Sequence, residues 1–156
     1  MKKILFDTGS SSVSLRAVRI TAAFILFPHG AQKLLGWFGG YGYTGTMDFF
    51  THVKHIPYIV GLLVILIEFF GPVFLLFGIG TRLIALAMIA NMTGIILSSQ
   101  TAYGFFMNWS GNQQGEGFEY HLLFIGLASV LLISGGGKFS MDALIAGKFK
   151  QNQLGS

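Results

Sequence analysis

The stretch Gly61–Gly78, GLLVILIEFFGPVFLLFG, is apolar from end to end except for one carboxylate, Glu68, near its middle. Two facts about it set the reading. It approaches the ~20 residues a helix needs to cross a bilayer, and it carries an ionisable group where such a helix would be deepest. Working outward, three further apolar runs of similar reach appear, so the spans read as Val13–Leu35, Pro57–Phe77, Arg82–Thr101 and Gly117–Ile133. The composition agrees. Hydrophobic residues make up 53% of the 156 and charged residues 10%, where a soluble domain carries about 25% charge. Phe and Gly are abundant, which suits lipid-facing rings and close helix contacts. The expected fold is all-α: a membrane four-helix bundle over residues 13–136. A cytoplasmic N-terminal segment, 1–12, precedes it. A cytoplasmic amphipathic helix and tail, 137–156, follow, with Ser140 capping the helix MDALIAGKF and QNQLGS trailing as a disordered end.

The connections carry information of their own. Gly78-Ile79-Gly80-Thr81 reads as a tight turn between spans two and three. GWFGGYGYTGTMDFFTHVKHI and YGFFMNWSGNQQGEG read as aromatic loops at a membrane surface, able to fold back over the mouth of the bundle. With the N-terminus inside, Lys2, Lys3, Arg16, Arg19, Arg82, Lys138, Lys148 and Lys150 fall on the inner side, leaving Lys33 and Lys54 outside. The positive-inside rule then puts both termini in the cytoplasm. The basic residues flank apolar runs and form no stripe, so nucleic acid is not expected as a partner. Cysteine is absent, which excludes disulfides, thiolate metal sites and dithiol relays. Only Ile4–Phe6 follow the first lysines as an apolar block, too short for a cleavable signal.

Helical spacing gathers the polar residues. On span one, Arg19, Ala22, Ala23, Leu26, Gly30 and Lys33 share a side, with His29 at its edge. Gly61, Glu68 and Gly71 align on span two; Ala87, Asn91, Gly94 and Ser98 on span three; Glu119, Gly126 and Ser129 on span four, with His121 off that line. Four small-and-polar stripes imply a polar interior and a Phe/Leu/Ile exterior. Glu68 lies ~16 Å below the outer end of its span, where an unpaired carboxylate costs several kcal/mol. It must be protonated, paired or solvated. His29, Arg19 and the long-stemmed Lys33 are the partners within reach. Pro72 has no N–H and frees the carbonyl of Glu68; Pro28 does the same for Phe24. Two readings stay open: an ion pair of Glu68 with Arg19 or Lys33 that locks the bundle, or a cavity that uses the same groups. Glu119 and His121 sit near the outer mouth, as gating groups or as solvated residues at a helix start. His52 and His55 lack further ligands at metal spacing, so no metal is expected, and His29 with His121 is a weak haem pattern.

These residues together resemble the DoxX family of small four-helix membrane proteins. The resemblance rests on Arg16 and Arg19, on PHGAQKLLG, on IEFFGPVFLLFGIGTR, on ANMTG, on Glu119 and on GGGKFSMDALI. It implies an integral protein of the bacterial or archaeal plasma (inner) membrane, similar to subunits linked to quinone and sulfur redox, including a thiosulfate:quinone oxidoreductase, or to proteins of quinone, catechol and oxidative-stress responses. Arg19, His29, Lys33, Glu68, Arg82 and Glu119 match the family's recurring polar positions. The expected function is a quinone-linked redox accessory component. Arg19, His29, Lys33, Glu68, Asn91, Glu119 and His121 would bind a quinone or small aromatic, with Glu68 and His29 relaying protons. Quinone is the only cofactor suggested, and electrons would come from a soluble or membrane redox partner. A small proton or solute transporter and a non-catalytic scaffold for a soluble enzyme are the alternatives, and a homo-oligomer is compatible with each.

Overall fold

The computed structural model describes residues 13–154; the expectations for residues 1–12, including the placement of Lys2 and Lys3, lie outside them. The described residues form six α-helices: α1 (Val13–Leu35), α2 (Gly42–Asp48), α3 (Tyr58–Phe77), α4 (Thr81–Ile95), α5 (Glu119–Ser134) and α6 (Met141–Leu154). The four long apolar segments become α1, α3, α4 and α5, packed in a ring. The closest pairings are α1 with α3 and α4 with α5; α3–α4 and α1–α5 complete it. By length and composition α3 and the continuous run Thr81–Tyr103 can cross a membrane, while α5 is apolar but shorter. The exterior is strongly apolar, with Phe24, Leu83 and Ile133 among many exposed large side chains. Arg19, Glu68, Thr81 and Asn91 lie buried inside. A soluble fold has the opposite distribution.

The expected inward stripes hold on three helices. Arg19, Ala22, Ala23, Leu26 and Gly30 are buried on α1, and Gly61, Glu68 and Gly71 on α3. On α4 Asn91 is buried, while Ala87, Gly94 and Ser98 line a cavity. The fourth helix differs. Its inward face is His121, Phe124, Ala128 and Leu131, not Glu119, Gly126 and Ser129. The Ser129 hydroxyl donates to the Ile125 carbonyl one turn back at 2.7 Å, so it needs no polar interior. A Cβ on Gly126 would meet nothing within 4 Å, so that glycine makes no close helix contact.

Gly30 is where α1 and α3 meet most closely. A Cβ there would overlap the backbone carbonyl of Glu68, the same carbonyl that Pro72 leaves without a helix partner. The glycine lets two backbones touch beside the buried carboxylate.

One end of the bundle is closed by a clasp built from three distant pieces of chain. The turn after α3 uses Gly78 (φ 67) and Gly80 (φ 57), both left-handed. Asp142, at the start of α6, accepts hydrogen bonds from the backbone N–H of Gly80 (2.7 Å) and Thr81 (2.8 Å), and its own N–H donates to the Gly78 carbonyl at 3.0 Å. Arg19 reaches across from α1, donating to the carbonyls of Gly136 (2.6 Å) and Phe139 (2.8 Å). Ser140 caps α6 as expected, accepting from Ala143 N–H at 3.2 Å. Arg82 donates to the Ile133 carbonyl near the end of α5. Helix α6 then runs to Leu154, so residues 151–154 of the expected disordered tail are helical. Asp142→Ala should strand the buried Thr81 N–H and the part-buried Gly80 N–H, each losing a charge-assisted bond. A loss of about 2–3 kcal/mol, with faster amide exchange at residues 80 and 81, is the expected result; unchanged exchange there would show that the clasp does not depend on this carboxylate.

At the other end, the expected first loop contains α2, continued by a wider π-turn at Phe49–Val53. Its Phe50 and Met47 pack on Gly61. The second loop is pinned by the N–H groups of Phe118 and Glu119 donating to the carbonyls of Gly104 and Phe105. Both loops fold over the mouth of the bundle.

Candidate functional site

Beneath those loops lies a cavity of about 960 Å³, within the range of small-molecule sites. Helices α1, α3, α4 and α5 all contribute to its walls, with apolar residues such as Val64 and Ile67 from α3 and Ala87 from α4. One wall carries a cluster of polar groups. Glu68, 1% exposed, accepts from the Lys33 ammonium at 2.6 Å on Oε2 and from Asn91 Nδ2 at 2.9 Å on Oε1. Three helices thus converge on one carboxylate, and both of its oxygens are engaged. The Lys33 side chain is 26% exposed, and an ammonium has donors beyond the one Glu68 uses. It can face a ligand while remaining paired.

The α5 wall adds two unsatisfied groups. Tyr120 and His121 line the cavity from α5, and the Tyr120 hydroxyl and His121 Nδ1 are buried without a hydrogen-bond partner among the described residues. Such atoms are rare and costly unless water or a ligand completes them. His29 is exposed to the cavity from α1, its ring centroid 6.3 Å from that of Tyr120. A π-turn at Ile96–Gln100 extends α4 along the rim and brings Ser98 and Ser99 to the cavity. Wide turns of this type recur at functional sites.

Of the residues singled out from sequence, His29, Lys33, Glu68, Asn91 and His121 come together here. Arg19 does not. It lies ~21 Å along α1 from Lys33 at 1.5 Å per residue, and its guanidinium is committed to the clasp. Lys33, rather than Arg19, is the partner of Glu68. Glu119 also stands apart: its carboxylate accepts from Met107 N–H at 3.2 Å and holds the second loop. His52 pairs with Asp48 on the exposed face of the first loop. Tyr120 was not anticipated. Its sequence signal was modest, an aromatic with a polar tip four residues before the buried Phe124.

Comparison with known proteins bears directly on this geometry. The DoxX family model matches residues 14–101, more than half of the chain, including the helices that supply His29, Lys33, Glu68 and Asn91. The chain belongs to the DoxX family. As a DoxX-family membrane protein it is 27% identical over 130 residues to the Bacillus subtilis (strain 168) protein named "Putative oxidoreductase CatD", a match covering 83% of this chain and 84% of that one. No solved structure matches it. The PHGAQKLLG and IEFFGPVFLLFG fragments that carried the family resemblance meet at the Gly30–Glu68 crossing. The GIGTR and GGGKFSMDALI fragments meet at the clasp.

Proposed function

We propose that this DoxX-family protein crosses the plasma membrane of a bacterial or archaeal cell four times, with both termini in the cytoplasm. Its cavity binds a quinone or a similar planar aromatic on behalf of a redox partner. The observation that carries the reading is the Lys33–Glu68–Asn91 cluster on the wall of an otherwise largely apolar cavity. Glu68 fixes the position of the Lys33 ammonium; the ammonium then donates to a ring oxygen of the ligand. The Tyr120 hydroxyl supplies a second donor. An oxidised quinone offers only acceptors, so a site lined with donors suits it. Quinone reduction takes up protons with electrons, and His29, exposed to the cavity, is the group placed to pass them in, with the Lys33–Glu68 pair behind it. Electrons would come from the partner protein, which agrees with a relative named as an oxidoreductase.

A transport route would need a path past the opposite end. There Arg19, Ser140 and Asp142 close the bundle in this conformation. The ligand-binding reading is therefore preferred.

The test uses the purified full chain in nanodiscs and decylubiquinone as probe. Saturable binding above that of empty nanodiscs is expected. Tyr120→Phe should weaken it roughly 5- to 10-fold, the value of about one hydrogen bond. Binding no better than to lipid alone would sink the reading. Proton or solute flux in proteoliposomes that disappears in Glu68→Gln would replace it with transport.

A further inference from the structure

We propose that a second, basic pocket at the clasp end binds the phosphate-bearing headgroup of an anionic phospholipid drawn from the bilayer. This rests on the membrane reading above and is independent of what fills the cavity at the other end.

The pocket is about 510 Å³ and lies between the first turns of α1, the last turn of α3 and residues 138–144. Arg16 and Lys138 stand at its rim, both exposed. Arg19, 2% exposed, lies below them with its guanidinium held by Gly136 and Phe139. The nearby carboxylate, Asp142, is turned away and occupied by the N–H groups of Gly80 and Thr81. Among the described residues, three cations against one committed anion leave the pocket positive. Arg16 is also positioned: its Cζ sits 5.6 Å from the centroid of the Phe139 ring, a cation–π contact that holds it at the rim.

The remaining walls are apolar and exposed. Ile20, Leu76, Phe77, Phe139 and Leu144 line the pocket and continue into the apolar exterior of the bundle. A soluble phosphate would satisfy the cations and leave those side chains wet. A phospholipid meets both surfaces, its phosphate between Arg16 and Lys138 and its acyl chains along α1 and α3. The location fits as well. This is the end that carries Arg82, Lys138 and Lys148, and anionic headgroups are attracted to basic residues at a cytoplasmic interface. The clasp would then have a lipid as its outermost component, linking bilayer charge to the closure of the bundle.

The experiment measures lipid retention by native mass spectrometry, with thermal unfolding in detergent alongside. Phosphatidylglycerol, phosphatidylcholine and inorganic phosphate are each titrated against the full chain. Phosphatidylglycerol should be retained preferentially and should raise the unfolding midpoint, with the preference shrinking as salt rises. Arg16→Gln/Lys138→Gln should lower phosphatidylglycerol affinity roughly 30-fold, taking the usual contribution of each basic residue near an anionic surface. Phosphatidylcholine binding and decylubiquinone binding should be unchanged. Equal retention of the two lipids by the wild type overturns the proposal without any variant, and so does a phosphatidylglycerol preference that persists in the double variant. Stabilisation by inorganic phosphate as large as that by phosphatidylglycerol overturns the lipid source.

Discussion

Lys33→Met is expected to destabilise the bundle by about 3–5 kcal/mol, the cost of leaving one charge of a buried pair without its partner. Glu68→Gln should cost less, about 1–2 kcal/mol. The asymmetry follows from exposure. Glu68 is 1% exposed, so without the ammonium its carboxylate keeps only Asn91 and has no water to turn to. Lys33 is partly exposed to the cavity, so without a carboxylate its head can be solvated there. The glutamine still offers an oxygen, but its amide nitrogen faces a donor, so one of the two bonds to Glu68 is lost. The double variant Lys33→Met/Glu68→Gln should recover most of the Lys33→Met loss, because the buried charge has gone. Reversible unfolding in mixed detergent measures all three. A neutral Lys33→Met, or a double variant no more stable than Lys33→Met, would mean that the pair is solvated and that the site is not the low-dielectric cluster described above.

Gly30→Val should be the most damaging single substitution at the helix crossings. A Cβ on Gly30 overlaps the backbone of Glu68, and neither backbone can yield as a side chain would. Helices α1 and α3 must separate, which moves Lys33 away from Glu68 as well. Overpacking against side chains costs typically 1–3 kcal/mol; here the obstacle is main chain and the ion pair is lost too, so a loss above ~3 kcal/mol is expected. Gly94→Ala supplies the contrast. Nothing lies within 4 Å of a Cβ at that position, and replacing a helical glycine by alanine gains up to about 1 kcal/mol. Unfolding midpoints should therefore fall sharply for Gly30→Val and hold or rise for Gly94→Ala. If Gly30→Val is tolerated, the close crossing of α1 and α3 is not the native contact.

How far the site was legible varied by residue, for physical reasons. Glu68 was conspicuous because an acid inside an apolar run has no cheap explanation. Asn91 followed from helical spacing, and Lys33 from spacing plus the length of its stem. Arg19 shares the face of α1 that carries Lys33, and spacing alone could not separate the two. A helical wheel gives direction around an axis and says nothing of which neighbour waits at each height. The carbonyls that claim Arg19 belong to residues 136 and 139, more than a hundred positions away. Glu119 was misread for the same reason, since Met107 N–H reaches it only once the second loop has folded back. Tyr120 stayed hidden because tyrosine beside a membrane usually marks the headgroup layer. That its hydroxyl lacks a partner among the described residues is a property of packing.

The amino-acid sequence by itself determined that the chain is helical and strongly apolar, where its four long helices run, where its glycine turn falls, and that an acid must be satisfied deep among them. Those are consequences of local composition, of periodicity and of the cost of a charge in hydrocarbon, all of which are properties of a single segment. Tertiary structure alone decided that Lys33 and Asn91, not Arg19, satisfy that acid. It also decided that α5 turns His121 inward and that residues 136–142 close one end against the turn at residues 78–81. Each of those depends on the depth and rotation at which separate helices meet, and that is set by contacts such as Gly30 against the Glu68 carbonyl, which no single helix contains.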